Sequence, residues 1–224
     1  MTTANMGSFE ELELRAWPRR DLNLRAHSSD NRVYAFLAWQ QGRGLPGRIM
    51  GYRRAAEILA TAMLADSRNV RDLDTVIFPF ATCWRHYVEL QLKSLIAQCQ
   101  ELLDLPVKRR GGHNIEQLWS ELRPLLVQAY PGEEKRDLSI VGRLLTQFAQ
   151  MDPDSQDFRY VERRDGTPTL ADIAHIDICD FHEAMLAVAN YFEAIDSAID
   201  HDKDTKNEAL QYEWEIQQEY EQEM

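Results

Sequence analysis

The chain has 224 residues, with 37 acidic against 25 basic side chains, a net charge of −12 and 44% hydrophobic residues. That length accommodates one sizeable core, so one domain is expected, and without a run of about 18 apolar residues there is no candidate membrane span. The first residues, MTTANMGSFEELEL, lack the basic start and apolar stretch of a signal peptide, and the scattered Cys83, Cys99 and Cys179 suit neither a disulfide framework nor a structural zinc site. A cytoplasmic protein with buried thiols is the expectation.

Residues 1–30 are expected to form an extended N-terminal arm, with a weak alternation around Pro18 that suggests a hairpin. Ser28, Ser29 and Asp30 offer caps for a helix over about 31–41, stopped by the glycines of QGRGLPG. A second helix is predicted over about 48–65, with Ile49, Tyr52, Ala56, Leu59 and Met63 at helical spacing. The third is long: it is expected to start near Val76–Pro79 and to end before Pro106. After the loop KRRGGHN, Asn114 can cap a helix reaching about Ala129, and another is predicted over about 133–151. No helical period survives in DPDSQDFRYVERRDGTPT, where a strand-like Phe158–Glu162 and the turn signal Asp165–Gly166 suggest a short β-hairpin or loop insertion near 155–168. Thr169 is expected to cap a last helix running to about His201, with an acidic tail over 202–224. The predicted fold is therefore all-α, an antiparallel bundle of five to six helices over 31–201.

Charge is unevenly distributed. Between Arg15 and Arg54 nine arginines face only Asp21 and Asp30, a local balance of +7, whereas Asp200 to Met224 carries −7. A basic face can attract nucleic acid locally in an acidic protein, although such runs are more often simply solvated. The alternative is that tail and arginine-rich segment dock onto a protein partner.

The long third helix holds the most informative pattern. Arg85, His86, Glu89 and Lys93 fall within an arc of roughly 100°, with apolar residues on both flanks. Charges so placed must pair with one another or face a wet cleft, because an unpaired buried charge costs several kcal/mol. His113 and Arg159 are the distant residues expected to converge on this stripe. Two histidines with arginine and lysine suit a phosphodiester: imidazole moves the proton and the cations meet the phosphate. Arg85, His86 and His113 are thus the candidate catalytic residues, and Glu89, Lys93, Arg159 and Tyr160 the candidate ligand contacts. No cofactor is implied. His175, Cys179 and His182 share an arc on the last helix, but without an obvious fourth ligand a partner-contact stripe is expected there rather than a metal. Asp152, Asp154 and Asp157 are better explained by a turn than by a metal-dependent nuclease site.

The combination of RHYVELQLKSLI, GGHNIEQLWSEL and SQDFRY resembles bacterial proteins of the HEPN class (higher eukaryotes and prokaryotes nucleotide-binding), over about residues 76–200. The resemblance implies an all-α bundle, a homodimer, RNA or nucleotide binding, and a toxin–antitoxin or phage-defence setting with a possible defence-complex partner. Catalytic members are metal-independent ribonucleases with Arg, four to six residues, then His on one helix. Starting from Arg85 those positions are Leu90, Gln91 and Leu92, and the literal match is Arg20 with His27 in the arm. A variant site of Arg85, His86 and His113 therefore rests on residue chemistry.

Overall fold

The computed structural model describes residues 44–66, 68–107, 111–132 and 135–223, apart from the side chains of 222 and 223, with Arg20, Ala35 and Leu37 as isolated positions. The expected N-terminal arm and the helix over 31–41 lie outside the described residues. The chain divides after Gln41, and the architecture below belongs to the unit over residues 42–224.

Five helices are described there: α1 Gly44–Ala65, α2 Val70–Leu102, α3 Ile115–Ala129, α4 Lys135–Met151 and α5 Ile178–Glu223. The fold is all-α, as the periodicities predict. α2 packs against α1, α3 and α5, while α4 packs on α3 and α5. Phe80, Trp84, Val88, Leu92, Leu95 and Cys99 of α2 are wholly buried. They meet Leu122 and Leu126 of α3, Leu145 of α4, and Val188, Phe192 and Ile199 of α5 within one core. Each large apolar side chain sequestered this way contributes about 1.5–3 kcal/mol.

Several boundaries differ from expectation for local reasons. α2 begins six residues before Val76, because Asn69 caps it, its side chain accepting the Asp72 N–H at 3.3 Å. Pro79 consequently sits inside the helix, not in its first turn. α5 begins at Ile178, where the Asp177 carboxylate accepts the Asp180 N–H at 3.0 Å. Thr169 is no cap: its hydroxyl donates to the carbonyl of Tyr160 at 2.6 Å, closing a loop. Of the expected β-hairpin or loop insertion near 155–168, the structure shows the loop. Among the described residues there is no strand, only one antiparallel bridge between Glu162 and Pro168 around a turn in which Gly166 has φ +83°. Pro168 has no N–H to donate, so the ladder does not extend.

α5 is 46 residues long and continues through the acidic tail as far as Glu223. Cys99 is buried as expected, but Cys83 is half-buried and Cys179 exposed. Among the described residues no helix is long and apolar enough to cross a membrane.

Candidate functional site

The charged stripe of α2 is internal. The guanidinium of Arg85 is 0% exposed and reaches across two loops: Nε donates to the Asp152 carbonyl at 3.3 Å and Nη2 to the His113 carbonyl. Its Nη1 faces Glu89 Oε2 at 3.6 Å as an ion pair, and the Asp152 carboxylate lies 4.0 Å from Nε. Burial lowers the Arg85 pKa, and Asp152 and Glu89 oppose that shift. Arg85 therefore clamps the end of α4 and the loop before α3 onto the middle of α2. Because it is enclosed, it positions other groups and does not reach a ligand itself, which corrects its expected catalytic role.

Glu89 is the hub. One carboxylate oxygen accepts both Lys93 Nζ and His113 Nδ1, each at 2.8 Å. Burial alone pushes this carboxyl up, but the hydrogen bonds from Lys93 and His113 outweigh it and hold the group below the ordinary carboxylate range. His113 itself is largely outside, with its side chain 69% exposed. The loop carrying it turns at Gly112, whose φ of +98° favours glycine, and ends at Asn114, which caps α3 by accepting the Gln117 N–H at 2.9 Å. In the neutral tautomer that donates Nδ1–H to Glu89, the other ring nitrogen is an acceptor.

His113 opens onto a polar cleft of about 640 Å³ that is also lined by Asn114, Gln117, Asp154, Arg163 and Arg164. Two of the local carboxylates are committed to building it. Asp157 pairs with Arg163, and Asp152 accepts the backbone N–H groups of Gln156 and Asp157 at 2.7 and 3.0 Å. The Asp-rich segment is thus a turn, and among the described residues no group of three or more His, Cys, Asp or Glu side chains could hold a metal ion. Arg163 and Arg164 carry no sequence signal of their own; only their place after the turn reveals them.

His86 and Arg159 lie within electrostatic reach of this cluster but do not share its hydrogen bonds. His86 does not join the His113 hydrogen bonds: its ring packs on Tyr52, centroids 4.9 Å apart, with Nδ1 buried and unbonded. Arg159 donates to the Ser155 carbonyl, sits 5.6 Å from the Tyr160 ring centroid, and lines with Tyr160 a neighbouring groove beside Phe78. His182 turns inward onto Phe80 and Trp84, so His175, Cys179 and His182 do not form one surface stripe.

Burial pushes the imidazoles of His86 and His182 below their ordinary value of 6.5, against Glu89 and Glu57 respectively. As pH falls through about 6.5 the unfolded chain takes up protons that the folded chain refuses, so these groups favour folding less and less until their folded pKa values are reached. Urea midpoints are expected to decline from pH 7.5 to 5. The double substitution His86→Gln/His182→Gln should flatten that slope; an unchanged slope contradicts this origin.

Comparison with protein-family models, curated proteins and solved structures finds no match for the chain.

Proposed function

We propose that this chain is a HEPN-like protein that binds RNA, or a nucleotide, in the cleft beside His113 and cleaves RNA without a metal, within a bacterial phage-defence or toxin–antitoxin setting. The observation that carries the reading is the Glu89–His113 dyad. A buried carboxylate holds an exposed imidazole in one tautomer, the arrangement by which a histidine is oriented as a general base. In RNA cleavage the bare ring nitrogen takes the proton of a 2′-hydroxyl as its oxygen attacks the adjacent phosphorus; the P–O5′ bond breaks, the 5′-oxygen leaves with a proton from water, a 2′,3′-cyclic phosphate remains, and Arg164 on the cleft rim meets the phosphate charge. Arg85 acts through the His113 carbonyl and Glu89 through its ring, so the arginine and the histidine are split between a helix and a loop. A homodimer belongs to the same reading.

Single-stranded RNA incubated with the purified protein in EDTA tests it. His113→Ala should lower cleavage by about 100-fold or more, the usual loss on removing a general base, with a modest fall in melting temperature, because Glu89 loses one donor but keeps Lys93 and Arg85. Arg164→Ala should weaken RNA binding. Equal cleavage by the His113 variant, or no RNA binding by the parent protein, removes the proposal.

A further inference from the structure

The C-terminal third of α5 has no core to join. Its last ties to the bundle are Lys203 to Glu101 at 2.5 Å and Lys206 to Asp104 at 2.6 Å, at the end of α2. Beyond Lys206 the helix runs to Glu223, about 25 Å at 1.5 Å per residue. In this stretch Leu210, Tyr212, Trp214, Ile216 and Tyr220 are all exposed, Trp214 at 61%.

The arrangement is ordered. Tyr212, Ile216 and Tyr220 stand at i, i+4 and i+8, within roughly 80° of arc, and Glu208, Glu215 and Glu219 form an adjoining ridge within roughly 40°. From residue 207 to the end there are six glutamates and no lysine or arginine. Glu219 and Glu221 also sit near the negative end of the helix dipole, where anions are disfavoured. No described element covers this stretch, so both its apolar stripe and its charge call for a complement.

We propose that residues 207–223 are a docking helix for a protein partner whose apolar groove is rimmed by lysine and arginine. The stripe spacing is that of helix-in-groove recognition, with Tyr212, Ile216 and Tyr220 as anchors and the glutamate ridge meeting the basic rim. Uniform negative charge opposes nucleic acid, anionic lipid and the same helix of a second copy. The proposal is independent of the His113 cleft.

A synthetic amphipathic peptide of leucine and lysine serves as the probe, titrated against the full chain with isothermal calorimetry as the readout. Binding that weakens with added salt, and that falls at least tenfold in both Tyr212→Ala/Ile216→Ala/Tyr220→Ala and Glu208→Lys/Glu215→Lys/Glu219→Lys, supports it. These positions are exposed, and circular dichroism checks that the bundle persists. Unchanged affinity in either variant overturns it. So does self-association of the parent chain that the tyrosine–isoleucine variant abolishes, or tail-dependent binding to vesicles of anionic phospholipid.

Discussion

Replacing Arg85 with methionine is expected to lower folding stability by about 3–5 kcal/mol, the range for removing one partner of a buried ion pair. Methionine fills much of the same volume, so the loss arises from what it leaves behind. The carbonyls of Asp152 and His113 lose their donor, and Glu89 loses one of the cations around it. The loop before α3 is then released from α2 and His113 with it, so cleavage and stability should fall together. Arg85→Lys should restore little, since an ammonium cannot reach two carbonyls and a carboxylate with the fixed fork of a guanidinium. Urea denaturation of the two variants, followed by circular dichroism, measures this. A destabilisation below about 0.5 kcal/mol would place Arg85 among ordinary surface charges.

Much of the bundle was legible because helices announce their buried faces. The apolar spacings of Ile115, Leu118, Leu122 and Leu126, and of Leu138, Val141, Leu145 and Phe148, appear in the structure as core positions. Boundaries were harder where a capping side chain competes with a better-known signal: Asn69 outranks Pro79, and Asp177 outranks Thr169. The internal charged stripe was legible for a related reason. Apolar residues on both sides of Arg85 and Glu89 leave no solvent face for them, and His113 is one of the groups that satisfies them. Arg159, expected at the stripe, lies within electrostatic reach of Arg85 and His86, whereas the cleft-lining Arg163 and Arg164 were not legible. Arg159 and Tyr160 differ from Arg163 and Arg164 only in their place relative to a turn, and the turn is set by Asp152 and Asp157 acting as backbone acceptors and ion-pair partners. His86 shares the stripe's arc, yet Tyr52 from α1 takes its ring, a tertiary contact with no local signature.

Glu89→Gln separates the architectural and chemical duties of the hub. Lys93 and His113 converge on one carboxylate oxygen while Arg85 faces the other, so every group around Glu89 is a donor. An amide has only one acceptor oxygen: whichever way it turns, its NH2 meets a donor. If the NH2 faces His113, the imidazole must accept at Nδ1 and move its proton to the cleft side, which removes the general base. The expected result is a loss of about 2–4 kcal/mol of stability, from an incompletely satisfied buried cluster. Cleavage should fall by a further factor of about 10³–10⁴, the scale on which a wrong tautomer disables a carboxylate–histidine pair. Nitrogen chemical shifts of the His113 ring report the tautomer without reference to activity. Glu89→Gln with an unaltered His113 tautomer and undiminished cleavage would leave the carboxylate a purely structural counter-ion to Arg85, and the imidazole without the partner that orients it.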